Sequence, residues 1–236
     1  FEIIVSEGVK IVFTSAGNPA KYTSWLKSQG ITVVHVVANL KFAKKCEEAG
    51  VDAIVAEGFE AGGHNGREET TTMCLIPMIK KHCSLPLIAA GGIGNGESMA
   101  AALCLGAEGV QVGSRFAATH ESSAHIAFKN EIINAGDGST ELTLKELTPV
   151  RLIKNKFYKE VQTAYANNAN IEQLHELLGR GRAKKGMFEG NLEDGELEIG
   201  QVSAYIQEIV SAKEVVDELI SGCKLALERM NDQFKF

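Results

Sequence analysis

Three short stretches of this 236-residue chain carry residue types that could do chemistry. Ala89-Ala90-Gly91-Gly92-Ile93 and Val110-Gln111-Val112-Gly113-Ser114-Arg115 each end a β-branched apolar run, about one βαβ unit apart. Glycine lets a backbone approach a ligand closely, and N–H groups at a strand-to-helix turn suit an anionic oxygen. The pair therefore reads as a phosphate grip. The competing reading, that Gly91 and Gly92 only make a tight turn, fits one signature alone better than two in tandem on consecutive strands. The third stretch is Glu57-Gly58-Phe59-Glu60-Ala61-Gly62-Gly63-His64-Asn65-Gly66. His64 is placed to exchange a proton with a ligand, and Gly62, Gly63 and Gly66 around it should leave room for a flat ligand to lie against backbone. A lone histidine in a polar loop is commonly structural, and this glycine setting is what sets His64 apart. His35 lies within a strand, His82 near a helix end, His120 and His125 around a helix start and His175 in the helical tail, so none of them is expected to be catalytic.

Something must hold these stretches at one end of a sheet. The run 85–90 reads as a buried parallel strand, 97–105 as a helix closed by Gly106, and 109–112 as the next strand. Upstream, βα units repeat: strand 10–14 and helix 22–28, strand 32–37 and helix 41–49, strand 53–56 and helix 73–83. Gly30, Gly50 and Gly106 stand between helix and strand, as C-cap glycines do. In a (β/α)8 barrel, the loops after the last two strands hold a phosphate on the face that carries the chemistry, and the His64 loop falls on that face. Five strands are visible where a closed barrel needs eight, so the alternatives are an open five-stranded sheet or a barrel whose first three units precede this stretch. A start at Phe1, without an initiator methionine or a signal peptide, reads as the middle of a protein.

After Arg115 the pattern changes. Residues 122–135 read as one helix, 136–139 as a turn, and 142–236 as mostly helical with no convincing buried strand. Within this part, Gly179-Arg180-Gly181-Arg182-Ala183-Lys184-Lys185-Gly186 is a basic loop, either plain solvated surface or an attractor for an anionic group, and 193–196 is an acidic turn. The helical apolar spacing of 215–227 predicts packing back against the strands.

With 44% hydrophobic and 23% charged residues the chain can bury a large core. A net charge of -6 argues against nucleic-acid or anionic-membrane partners, and no apolar run is long enough to span a bilayer. The five cysteines are odd in number and lack metal-ligand spacing, which predicts reduced thiols, no metal site and a cytoplasmic setting.

The stretches 57–66, 87–93 and 106–116, with Glu121-Ser122-Ser123-Ala124-His125 and Gly200-Gln201-Val202, together resemble the flavin-dependent family of nitronate monooxygenases and flavin-type enoyl-ACP reductases. The resemblance runs over nearly the whole chain. It implies an α/β fold, a (β/α)8 barrel of which this chain covers about the last five βα units plus a helical lid. In that scheme residues 1–139 are the C-terminal part of the barrel without its first strands, 140–197 the lid insertion, and 198–236 helices that pack back. It further implies FMN as cofactor. Gly91, Gly92, Gly113 and Ser114 would hold its phosphate, Ala61 and Gly62 would lie beside the flavin, and His64 would be catalytic. The family's earlier strands supply further flavin contacts through a Gly-Gly-Met turn and an asparagine that have no counterpart here.

Two activities follow from the resemblance. The first is oxidation of nitronates or nitroalkanes with O2 to a carbonyl compound and nitrite. The second is NAD(P)H-dependent reduction of an enoyl thioester on an acyl carrier protein. His35-Val36-Val37 stands where many of the monooxygenases carry His-Lys-Cys, which suits the reductases, whereas the length and acidity of 64–77 suit the monooxygenases. The resemblance puts the monooxygenase reaction first. A phosphosugar-binding barrel and an inactive fragment remain as lesser alternatives, and a homodimer is the expected assembly.

Overall fold

The computed structural model describes residues 1–234. The chain begins with α1 (Glu2–Ser6), β1 (Ile11–Ser15), α2 (Thr23–Ser28), β2 (Thr32–Val37), α3 (Leu40–Glu48) and β3 (Ala53–Glu57). It continues through β4 (Gly63–His64), α4 (Thr72–His82), β5 (Leu87–Ala90), α5 (Gly96–Cys104), β6 (Gly109–Gln111) and the single turn α6 (Ser114–Ala117). Then come α7 (Ile126–Asn134), β7 (Thr140–Thr143), β8 (Val150–Ile153), α8 (Lys156–Ala166), α9 (Ile171–Leu178) and α10 (Ala212–Gln233). The last two residues of the expected 198–236 segment lie outside the described residues.

Strands β1, β2, β3, β5 and β6 form one parallel sheet in that order. Leu26, Ala43, Cys46, Leu75, Ile79 and Ala102, from the four helices that link these strands, pack in one cluster with Val33, Ile54, Ala56 and Leu87. Val34, Val55 and Ala90 point the other way and form a separate small cluster. The two sets follow the period of two that a strand imposes. Strands added in sequence order with all their helices on one face make an arc of a (β/α) barrel. A doubly wound sheet would reverse its strand order and carry helices on both faces. The five expected βα units are all present. Gly30, Gly50 and Gly106 end their helices at φ of +74°, +74° and +108°, the left-handed conformation that a C-cap needs.

Register decides what reaches the C-terminal edge of the sheet. Glu57 pairs with Ala90, and Ala90 with Gln111, so these three residues form one row across the strand ends. Glu57 shares the parity of Val55, and its side chain therefore leaves the sheet on the face away from the helices.

Three expectations are corrected. The segment 142–236 is not free of buried strands, because β7 and β8 form an antiparallel hairpin whose other edge pairs with β4. All four residues of β8 are buried, Arg151 included, and a charge inside a four-residue run hides the strand from a pattern reading. The helix expected over 122–135 starts only at Ile126. The buried Lys129 ammonium donates to the carbonyls of Thr119 (2.6 Å) and Ser122 (2.8 Å), which wraps that segment around the charge instead of coiling it. The 215–227 helix, now part of α10, packs on α5 rather than on strands. Gly96 and Gly222 touch closely enough that a Cβ on Gly96 would stand 2.2 Å from the Gly222 carbonyl carbon.

Arg151 joins the hairpin to the barrel arc. Its guanidinium donates twice to the carbonyl of Phe59 at 3.1 Å and lies over the Phe59 ring. Replacing Arg151 with leucine leaves that carbonyl without its partners. Charge-assisted bonds of this kind contribute about 1.5–3 kcal/mol. The variant should lose about 2 kcal/mol, and its Tm should drop by roughly 4–8 °C in a thermal melt. An unchanged melt would show that the hairpin is held without Arg151.

Candidate functional site

Six of the seven residues expected at the site line one cavity of about 300 Å³ at the C-terminal ends of β3, β5 and β6. Gly91 and Gly92 contribute one wall, Gly113 and Ser114 a second, and Ala61 and Gly62 a third. Ile199 and Val202 close it from the C-terminal segment. Among the described residues, the N–H groups of Gly92, Ile93, Gly113 and Ser114 have no acceptor in the protein. Main-chain donors left without acceptors are costly unless water or a ligand takes them. All four belong to residues that line this cavity.

The glycines have different reasons to be glycine. Gly91 and Gly92 have φ of +83° and +70°, and a Cβ on Gly91 would come within 2.5 Å of the Gly58 carbonyl oxygen. The tight-turn reading is therefore true of this pair, and the grip coexists with it. Gly113 has no atom within 4 Å of where its Cβ would be, so a side chain there would project into open space. Ser114 accepts a hydrogen bond from the Gly200 N–H at 2.9 Å, and its own hydroxyl proton remains available.

The glycines around His64 do not leave the open space that the sequence suggests. A Cβ on Gly62 would lie 2.4 Å from the Ile199 carbonyl carbon, one on Gly63 would lie 2.7 Å from a Glu198 oxygen, and one on Gly66 would lie 2.4 Å from the Ala38 Cβ. They are small because other chain segments pass against them. His64 itself is exposed. It opens onto two neighbouring cavities, one of about 220 Å³ shared with His175, Arg182, Glu196 and Glu198, the other of about 240 Å³ shared with His35, Val36, Val37 and Glu57. It stands beside the main cavity, not in its wall.

Other expectations fare differently. His35 is buried and its Nδ1 meets the Thr14 hydroxyl at 2.7 Å, and burial holds its pKa below the ordinary histidine value. His125 caps α7 by accepting the Ala127 N–H at 3.1 Å. In the basic loop, Arg182 donates to the carbonyls of Leu177, Leu178 and Asp194, Lys184 pairs with Glu189, and Lys185 with Asp194. Arg180 keeps its charge exposed and unpaired among the described residues.

Sequence reasoning missed the carboxyls. Glu57, Glu60 and Glu198 line the main cavity, and no lysine, arginine or histidine does among the described residues. Burial pushes the Glu57 carboxyl up to about 7. Glu60 is turned aside, accepting the Thr72 N–H on both oxygens at 3.0 Å and the Thr72 hydroxyl at 3.1 Å. Glu196 is buried and also pushed up to about 7, first by desolvation and then by the charge of Glu198. Burial raises Glu198 too, while the charge of His64 opposes that rise. For Glu57 a signal was present, a charged residue at an inward position ending an apolar strand. For Glu198 the only hint was an acidic side chain between Leu197 and Ile199.

No helix among the described residues is long and apolar enough to cross a membrane, and no group of side chains there could hold a metal ion. The five cysteines are free.

Comparison with known proteins shows the family and the fold. A family model described as nitronate monooxygenase matches residues 1–222. A probable nitronate monooxygenase of Bacillus subtilis is 32% identical over 215 residues, covering 88% of this chain and 62% of that protein. FabK from Thermotoga maritima superposes with a TM-score of 0.91 at 36% identity, over 99% of this chain and 74% of that one. A nitroalkane oxidase from Streptomyces ansochromogenes superposes at 0.79 with 25% identity, over 97% and 68% respectively. The chain thus spans roughly two thirds to three quarters of the length of these relatives.

Two measurements check the geometry. Gly113→Val should leave the Tm unchanged, since its Cβ meets nothing, yet weaken binding of a phosphate-bearing cofactor at least tenfold, about 1.4 kcal/mol. Full cofactor occupancy in that variant would move the phosphate elsewhere. Glu57 binds its proton more tightly folded than unfolded, so its contribution to stability is lost as pH rises from about 4.5 to about 7. In protein without cofactor, Glu57→Gln should therefore gain in Tm relative to the parent between pH 5 and pH 7.5. A constant difference across that range would refute the burial argument.

Proposed function

Since the chain belongs to the nitronate monooxygenase family, we propose that it is an FMN-dependent oxidoreductase that oxidises alkyl nitronates or nitroalkanes with O2 to a carbonyl compound and nitrite. The observation that carries this reading is the convergence of the acceptor-free amides of Gly92, Ile93, Gly113 and Ser114 on one cavity whose Ala61–Gly63 wall leads to His64. That donor set fits the phosphate of FMN: main-chain dipoles hold it where no cationic side chain stands, and Gly113 leaves it room. When bound, FMN supplies the electron-transfer chemistry. Ala61 and Gly62 flank its ring system, and Ile199, Val202 and Met187 keep water from the cavity. His64 takes the proton from the carbon bearing the nitro group, or positions a nitronate already formed. Residues 1–139 carry the cofactor, 140–197 cover it and the segment from 198 returns to the arc. Small-molecule substrates, a cytoplasmic setting consistent with free cysteines, and a homodimer complete the reading.

A second reading has its own support. The likeness to FabK, an enoyl-ACP reductase, together with the apolar Val36 and Val37 beside His64, favours NAD(P)H-dependent reduction of an enoyl thioester. His64 would then return a proton to the α-carbon.

Purified protein should be yellow and release FMN on denaturation, and a colourless product that binds no added FMN would refute both readings. His64→Asn should keep FMN but lose about a hundredfold or more in turnover of neutral nitroalkane, with much less effect on a preformed nitronate, which needs no deprotonation. Turnover of an enoyl thioester with NADPH, absent with nitroalkanes, would select the second reading. Parental rates with every substrate would remove His64 from the mechanism.

A further inference from the structure

The cavity that holds the expected cofactor shares Glu198 with one of the two cavities onto which His64 opens and Glu57 with the other, and of these two carboxyls it is Glu198 that lies against the His64 strand. Its position is fixed by the strand that also fixes His64. β8 pairs with β7 along one edge, and along its other edge it meets β4, placing His64 opposite Val150, and then forms a bridge between Leu152 and Glu198. The Ile153 N–H donates to the Leu197 carbonyl at 2.9 Å and fastens the same segment. The Glu198 carboxyl is thereby laid against Gly63, the residue before His64, so closely that a Cβ on Gly63 would overlap it. A carboxyl in that place has neither a salt bridge nor a protein hydrogen bond among the described residues. Buried carboxyls normally have such partners.

We propose that Glu198 is the proton partner of His64, accepting the proton that the imidazole takes from the substrate carbon. This rests on the proposed function of the site. When the C–H bond opens, the electron pair stays with the substrate as its conjugate anion and the proton goes to the imidazole. The imidazolium N–H bond then breaks as water in the shared cavity carries the proton across, an O–H bond forms at the Glu198 carboxylate, and the proton leaves from there to solvent, so that both groups are reset for the next turnover. No electrons change hands in the relay. In the reductive reading the same proton moves the opposite way. Glu198 acts through His64 and is a positioning residue, not a catalytic one.

The charged groups around Glu198 suit this role. His64 faces it from β4, and Glu57 and Glu60 share the cofactor cavity with it. Glu196, Arg182 and His175 share the His64 cavity, where Arg182 is engaged with three carbonyls. Burial raises the Glu198 carboxyl above the ordinary carboxylate value, which makes it a better proton acceptor than a solvated glutamate.

The test uses the full chain as purified, carrying glutamate labelled with 13C at the side-chain carboxyl. The Glu198 resonance is the one missing from Glu198→Gln. In His64→Asn its titration midpoint should move upward, because the opposing positive charge is gone. In Glu198→Gln, with cofactor occupancy retained, kcat for a neutral nitroalkane should fall about tenfold with KM little changed. The limb of the pH profile that rises as the carboxyl ionises should vanish. A Glu198 midpoint indifferent to His64, or a Glu198→Gln enzyme with the parental kcat and pH profile, would overturn the proposal. The titration needs no substrate or cofactor, so it still decides the coupling of the two groups if the protein proves colourless and the functional reading falls.

Discussion

Everything at this site depends on one crossing, where residues 199–201 pass backbone to backbone over the loop after β3 and bond the loop after β6 through the Ser114 hydroxyl. Ile199 and Gly200 cross directly over Gly62, and the Gly200 N–H donates to the Ser114 hydroxyl. The Gln201 N–H donates to the Glu60 carbonyl at 3.0 Å. A Cβ on Gly200 would collide with the Glu60 carbonyl and the Ser114 hydroxyl, both at 2.9 Å, and one on Gly62 would collide with Ile199. The contact is possible only because both crossing points are glycine. It brings the end of the lid into register with the loop after β3 and the loop after β6, which are 50 residues apart in the chain but share one cavity.

From that crossing the remaining parts follow. Once residues 199–201 are pinned, the two residues before them run along β8, and β8 is itself tied to the arc through Arg151 and the Phe59 carbonyl. The hairpin is therefore the frame that sets where the His64 backbone lies. A buried guanidinium is expensive to desolvate. Here the two bonds to Phe59, the contact with its ring and one bond to Thr140 answer it, and nearby Glu141, Glu60 and Glu69 favour its charge against the lowering effect of burial.

How much of this was legible in the residues varies with the range of the interaction. The βα units, the C-cap glycines and the two glycine-tipped strands are local patterns, and they stand where the periodicity put them. The β7–β8 hairpin was illegible because its pairing is long-range and its central strand is four residues with Arg151 inside. The late start of α7 was illegible because it depends on where the Lys129 ammonium lies. The glycines around His64 were visible, but their cause was not. A glycine that admits a ligand and one that admits a crossing chain look identical in sequence, and Gly62 is the second kind while Gly113 has the space for the first.

The charge balance of the cavity explains why the grip is made of backbone. With Glu57, Glu60 and Glu198 in its wall and no cationic side chain there, a phosphate faces an unfavourable field if all three carboxyls are ionised. The Thr72 N–H and hydroxyl donate to the Glu60 carboxylate and turn it from the grip. Burial raises both Glu57 and Glu198, Glu57 to about 7, so that near neutral pH Glu57 holds a proton for part of the time. Amide dipoles on Gly92, Ile93, Gly113 and Ser114 can stabilise the phosphate without forming salt bridges to these carboxyls. A lysine in their place would pair with Glu57 or Glu198 and favour its ionised form. The absence of side-chain cations from the described cavity wall and the raised carboxyls are thus two aspects of one arrangement, in which, under the proposed function, binding falls to the main chain and proton transfer to the side chains.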